Sequence, residues 1–210
     1  MDITQAITES KLTEQIAPSV CRVNLSSAIV TIFQEMAKHK GGVLAIEGRA
    51  AAGKTTFASQ LAGSMGLTPV QIDDFFLPPE LRTPERLATP GGNVHHERFA
   101  QEVLPHLQSG QAFQYRKFDC TIMDYNGMAE IVAHPWRIVE GVYSLHPALG
   151  DYATIRIFID VTPEVQEARI KARNSPQMVE NYLTKWIPME EAYFGAYKVQ
   201  EGADIVLRLE

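Results

Sequence analysis

Eleven residues, EGRAAAGKTTF from Glu47 to Phe57, constrain this chain more than any other stretch. Gly48, Gly53, Lys54 and Thr55 fit the pattern G-x-x-x-x-G-K-[ST], with Arg49, Ala50, Ala51 and Ala52 at the variable positions. The apolar run GVLAIE ahead of it reads as a short buried strand, and from Lys54 to Met65 the pattern is helical. A strand that turns through glycines into a helix points its backbone N–H groups inward and adds the partial positive charge of a helix N-terminus, which together cradle phosphate. In such a loop Lys54 reaches the β- and γ-phosphates, and the hydroxyl of Thr55, next to Thr56, faces Mg²⁺. An Ala/Gly-rich turn that only starts a helix is the competing reading.

Around the loop, strand and helix patterns alternate. Ser26 to Lys38 is helical, with Ile29, Ile32, Phe33 and Met36 on one face, and residues up to Pro18 read as either a helix or a loose arm. TPVQIDDFF reads as a second strand, and LPPELRTPERLATPGGNV, rich in Pro, Gly and charge, as a long binding loop or lid. A helix is expected from about His96 to Leu107, then paired strands over FQYRKFD and AEIVAHP as a side excursion. RIVEGVY, TIRIFIDV and ADIVLRL read as further core strands, TPEVQEARIKARN as a helix opened by Thr and Pro, and PQMVENYLTKWIPMEEAYF as a helix interrupted at Pro188. The expected fold is a three-layer α/β P-loop NTPase fold: a mostly parallel sheet with helices on both faces and a small excursion for the acceptor and lid. Residues 1–40 form an N-terminal arm and lead-in helix, and 41–210 the main domain, with an acceptor-binding excursion at 76–135 and a lid at 172–180.

A phosphate loop implies a nucleotide but not a reaction. In a doubly wound sheet ligands lie beyond the carboxyl ends of the strands, and there QIDD places Asp73 and RIVEG places Glu140. Phosphoryl transfer to a hydroxyl needs one carboxylate to accept the proton and another to hold the metal or its waters. Arg169 and Arg173, four apart on one helix face before the NSPQ break, supply positive charge for the transferring group. The structural alternatives are a turn or cap pair for Asp73 and Asp74, a solvated strand end for Glu140, and a solvated basic face for the arginines.

With 45% hydrophobic and 21% charged residues the chain suits one packed core, and a net charge of −6 argues against general nucleic-acid or membrane-surface binding. No apolar run approaches the roughly 20 residues of a membrane span, and the acidic, polar first twenty residues lack the features of a signal peptide. A cytoplasmic protein is the expectation. Cys21 and Cys120 lack metal spacing and are expected to be reduced packing residues.

The ordered segments GRAAAGKTT, DDFF, GGNVHHERF, YRKFD, VEGVYSLHP, RIKARN and ADIVL resemble the uridine kinase and phosphoribulokinase group of P-loop kinases over roughly residues 40–210. The resemblance implies that Asp73 is the catalytic base, that Glu140 and Thr55 support Mg²⁺, and that Arg169 and Arg173 are lid arginines acting with Lys54 on the phosphates. It places the acceptor against Asp73, Phe76, His95, Tyr115 and Phe118, and it implies ATP and Mg²⁺ as cofactors. Uridine kinases carry N-F-D-H where this chain has Asn93, Val94, His95 and His96, and Y-D-F with a following histidine where it has Phe118, Asp119, Cys120 and Met123. Two polar contacts to a nucleoside are thus absent, so the expected acceptor is a hydroxyl-bearing small metabolite, with a nucleoside such as uridine one candidate. A homo-oligomer is left open. The competing class is an ATP-binding regulatory or inactive module without a small acceptor; the Asn-Lys-x-Asp motif of a GTPase is absent.

Overall fold

The computed structural model describes residues 20–209, so the proposed arm ahead of residue 20 lies outside the described residues. Strand β1 (Cys21–Val23) leads into α1 (Leu25–Met36), capped by Asn24, whose side chain accepts from the Ser27 N–H at 2.9 Å. This edge strand is not foreseen from sequence, because three half-exposed residues show no alternation. The buried stripe of α1 is Ala28, Ile32 and Met36, whereas Phe33, expected on that face, is exposed.

β2 (Gly42–Gly48) is the buried centre of the sheet, followed by α2 (Lys54–Met65) and a short β3 (Val70–Gln71). The short strand expected at TPVQIDDFF, ending in two aspartates, stops at Gln71, because the chain tightens into a 3₁₀ turn over Ile72–Phe75 that holds both aspartates. After α3 (Pro84–Ala88), the helix expected from His96 is split into α4 (His96–Glu102) and α5 (Leu104–Leu107). Pro105, without an N–H, does not continue the ladder of α4. β4 (Phe113–Asp119) and β5 (Asp124–Ile131) pair antiparallel as a separate hairpin, the expected excursion, with β5 beginning five residues ahead of AEIVAHP.

β6 (Trp136–Glu140) and β7 (Ile155–Asp160) return to the main sheet, and α6 (Pro163–Arg173), α7 (Pro176–Asn181), α8 (Ile187–Tyr197) and β8 (Ile205–Leu209) complete the chain. The strand order is β1-β8-β7-β2-β6-β3, with every pair parallel. Pro188 shapes the entry to α8: a π-helical stretch, Tyr182–Trp186, precedes it, and the Ile187 N–H bonds the Tyr182 carbonyl five residues back. A widened turn accommodates the missing proline donor.

Alternation along β2 divides the interior. Leu44 and Ile46 pack with Ile32, Phe57 and Leu61 under α1 and α2, while Val43 and Ala45 pack with Phe75, Phe99 and Tyr193 on the opposite face. Every parallel strand ends on the same side of the sheet, so the loops after β2, β3 and β6 converge there. Among the described residues no helix is long and apolar enough to cross a membrane.

Phe57 is fully buried and fastens α2, and therefore the glycine loop ahead of it, to the sheet. Phe57→Ala is expected to lower unfolding free energy by about 3–5 kcal/mol, read from urea denaturation.

Candidate active site

The loop after β2 has the backbone its sequence demands. Gly48 lies at φ +140°, and a Cβ there would sit 2.1 Å from the Ile159 carbonyl oxygen; Gly53, at φ +103°, occupies the other conformation suited to glycine. Ala51 adopts a left-handed φ of 58°, which costs an alanine more than a glycine. Thr55 and Thr56 stand exposed on the first turn of α2. Lys54 is buried, and its Nζ donates to the carbonyls of Gly48 at 2.8 Å and Arg49 at 2.9 Å.

Two helices hold this loop from outside. From α6, Gln166 donates to the Ala50 carbonyl at 3.0 Å and Arg169 to the carbonyls of Ala51 and Ala52 at 3.2 and 3.4 Å. From α8, Glu190 accepts the Ala50 N–H at 2.9 Å and Glu191 pairs with Arg49. Arg49 also binds Asp160 through Nε at 3.0 Å. Arg49 and Arg169 are thus engaged in positioning the loop, while Arg173 is exposed at the end of α6.

Glu47 is the residue that motif reading missed. It ends β2 on the Val43 and Ala45 face, wholly buried, and its carboxylate gathers donors from three segments. Oε1 accepts from the Gly48 N–H at 3.1 Å and the Tyr143 N–H at 2.9 Å; Oε2 accepts from the Leu145 N–H at 3.0 Å and the Tyr193 hydroxyl at 3.1 Å. Burial pushes its carboxyl up to about 7, against the opposing pull of those amides and of Lys54. The one sequence signal was a charge ending an otherwise apolar strand. Tyr143 itself has φ 77°, an uncommon conformation for a bulky residue, in the loop that follows Glu140.

Asp73 and Glu140 face the same cleft. Glu140 is buried, and burial raises its carboxyl pKa, reinforced by Asp73 and opposed by Lys54 and by a hydrogen bond from the Thr55 hydroxyl. Asp73 is open to solvent at the cleft mouth, yet the protein crowded around it removes enough solvation to raise its pKa, with Lys54 opposing and Asp74 reinforcing. Glu190 is raised by burial too, with Lys54 opposing and Asp73 reinforcing. One lysine is therefore surrounded by Glu47, Asp73, Glu140 and Glu190. Among the described residues no group of three or more His, Cys, Asp or Glu forms a ready metal cage; Mg²⁺ commonly uses one or two protein ligands together with phosphate and water, and Thr55 beside Glu140 fits that use.

The expected acceptor residues divide. Phe76 is half-buried beside Val94, and Tyr115 and Phe118 are packed in the interior. Tyr115 reaches the site indirectly: its hydroxyl donates to the Asp74 carboxylate at 2.8 Å and accepts the Gln71 N–H at 3.1 Å, tying the hairpin to the end of β3. His95 caps α4, its Nδ1 accepting the Arg98 N–H at 3.3 Å. Arg98, which no sequence pattern marks, is buried across the Phe75 ring at 3.9 Å, donating to the Asp74 carbonyl and, at 2.7 Å, to that of Arg116. Cys21 and Cys120 are exposed free thiols, which corrects their reading as packing residues; Cys21 lies on an edge strand and Cys120 at the hairpin turn, where little covers them.

No family model matches the chain, and no curated protein matches it in sequence. Solved structures do match its fold. A possible uridine kinase from Bacillus stearothermophilus aligns with a TM-score of 0.64 at 17% identity, covering 87% of this chain and 98% of that one. A structure described as a fructose transport system kinase from Silicibacter sp. TM1040 aligns with a TM-score of 0.60 at 21% identity, covering 88% and 98%. The chain thus has the P-loop NTPase-like α/β fold of kinase-like structures.

The raised Glu47 carboxyl has a defined sign in stability. The folded state binds that proton more tightly than the unfolded chain, so the stabilisation is present in full below about 4.5 and is lost as pH rises through about 7. Because Glu47→Gln cannot titrate there, wild type should gain on the variant by up to about 3 kcal/mol as pH falls from 8 to 4.5. Urea denaturation at a series of pH values checks this, and a pH-independent difference would refute it.

Proposed function

We propose that this chain is an ATP- and Mg²⁺-dependent kinase that phosphorylates a hydroxyl of a small metabolite. The observation that carries the reading is the convergence of Lys54, Asp73 and Glu140 at the ends of β2, β3 and β6, with Thr55 beside Glu140. A glycine loop alone would bind a nucleotide; an acid facing its lysine adds a group able to accept a proton.

Each residue then has a task. The amides of Ala51 to Thr55, across the loop and the first residues of α2, would receive phosphate oxygens, and Lys54, now on its own loop carbonyls, would turn to them. Bound Mg²⁺ would neutralise charge on the β- and γ-phosphates and would be held by Thr55 and Glu140. Asp73 orients the acceptor hydroxyl and takes its proton. Burial raises its pKa, which strengthens it as a base, and Lys54 opposes that rise by favouring the ionised form. Arg173, exposed at the end of α6, is free to approach the transferring group, and Arg169 supports the loop that holds it.

The electrostatics favour this reading. Four carboxyl groups around Lys54 would repel a bare triphosphate, and a divalent cation offsets that repulsion as the nucleotide enters. Nucleotide binding should therefore depend steeply on Mg²⁺.

Asp73→Asn keeps the shape and removes the base. Turnover should fall by about 10²–10⁴-fold with ATP affinity nearly unchanged, measured as ADP release across nucleosides, sugars and pantothenate-like acceptors beside nucleotide titration. An Asp73→Asn variant as active as wild type would remove Asp73 from this role, and the absence of acceptor-stimulated ADP release across the panel would favour an ATP-binding module.

A further inference from the structure

The glycine loop is held peptide by peptide, and its two supporting helices take opposite ends of those peptides. Helix α6 takes carbonyls: Gln166 donates to that of Ala50 at 3.0 Å, and Arg169 to those of Ala51 and Ala52 at 3.2 and 3.4 Å. In a trans peptide the N–H points opposite to the carbonyl, so each of these bonds turns the next N–H away from α6. Helix α8 takes an N–H instead. Its Glu190, only 7% exposed, accepts the Ala50 N–H at 2.9 Å.

The peptide between Arg49 and Ala50 is where these ties meet the lysine. Its carbonyl accepts Lys54 Nζ at 2.9 Å and the Ala52 N–H at 3.2 Å, and its N–H is the one that Glu190 takes. The next peptide is fixed by Gln166, and Ala51 then sits at φ 58°, a left-handed conformation that an alanine keeps only where its surroundings impose it. When Lys54 turns to phosphate oxygens, the Arg49–Ala50 peptide loses a charged partner on its carbonyl side. The 3.2 Å turn bond and Glu190 are the ties left on it. Of the two, only Glu190 reaches outside the loop, from the same helix that binds Glu47 through Tyr193.

A carboxylate in this place has two opposed effects. It lies in the field of Lys54 and Asp73, where a triphosphate would enter, so its charge works against the ligand. Its oxygen works for the ligand, because a loop already in shape spares the ordering cost of binding. Substitution separates the two: Gln keeps an accepting oxygen and drops the charge, and Ala drops both.

We propose that Glu190 is a positioning residue of the nucleotide site, holding the Arg49–Ala50 peptide in its phosphate-binding conformation and keeping hold of it once Lys54 has turned to the nucleotide. This role rests on the nucleotide reading of the loop and needs no particular acceptor.

Titration with ADP and Mg²⁺ tests it. Glu190→Ala should weaken ADP about tenfold, the worth of one buried hydrogen bond, although it removes a repelling charge. Glu190→Gln should bind ADP as tightly as wild type or more tightly. Tighter binding by both variants would leave Glu190 a repelling charge only, and a lower melting midpoint with unchanged ADP affinity in Glu190→Ala would leave it a structural residue only. Either result overturns the proposal, as does a Glu190→Gln variant as weak as Glu190→Ala. Wild type labelled at alanine nitrogens gives a readout without any variant: the Ala50 amide should keep its hydrogen-bonded downfield shift and slow exchange when ADP and Mg²⁺ are added, and loss of both overturns the proposal. Wild type that binds no ADP removes the nucleotide reading and the proposal with it, whereas wild-type binding matched by Glu190→Ala removes the proposal alone.

Discussion

The Glu47 carboxylate is the interaction on which the rest of the cleft depends. A phosphate-binding loop has to keep its amides aimed at one point, yet its glycines give it the freedom to lose that aim. Here the first residue of the loop, the loop after β6 and helix α8 all donate to one buried carboxylate. Two of these segments lie 96 and 146 residues along the chain from Glu47, so the geometry exists only once the sheet has formed. Replacing such a group strands several donors at once, which is why a wholly buried acid is tolerated at the centre of the fold.

That anchor also sets the electrostatic character of the cleft. With Glu47 spent on backbone amides, Glu190 on the Ala50 N–H and Lys54 on loop carbonyls, the nearest groups free to meet a ligand are Asp73 and Glu140. Each of these carboxyls is raised by lost solvation rather than lowered by a partner, so the cleft holds unfavourable negative charge that a cation would relieve. Many binding sites carry such local cost, balanced by packing elsewhere. In this chain the balance comes from the apolar layers on the two faces of the sheet.

Much of this was legible in the sequence, for physical reasons. The loop, the strand-end acids and the parallel sheet follow from local patterns: a glycine spacing, a charge ending an apolar run, and alternating strand and helix periods. Contacts between distant segments leave no such mark. Glu190 and Tyr193 looked like any amphipathic helix residues, Arg98 like a surface charge, and Glu47 like the tail of a strand. The 3₁₀ turn was hidden because Ile72 and Phe75 continue the apolar character of the short strand ahead of them, and it depends on Tyr115 and Arg98 holding Asp74 from outside. Arg169 was expected to act on the phosphates, and its bonds to the Ala51 and Ala52 carbonyls make it a support for the loop.

The two halves of the cleft are built on different principles. The phosphate half rides on the central strands, where each side chain is fixed by neighbours on both sides, and a one-residue change there disturbs the sheet. The other half, proposed for the acceptor, is a long irregular segment held by two arginines: Arg98 pins it to the 3₁₀ turn and the hairpin, and Arg86 closes it on itself through Gly92, Val94 and Glu97. Such a segment can exchange the side chains facing a ligand without moving a strand, provided those arginines stay. His95 illustrates the point, for it has become a helix cap while its neighbour His96 turns inward with an unmatched nitrogen. On the proposed function, selectivity for the acceptor is to be sought among the residues between Phe76 and Phe99, and the resemblance to known kinases, carried by the glycine-loop half, has little power to name it.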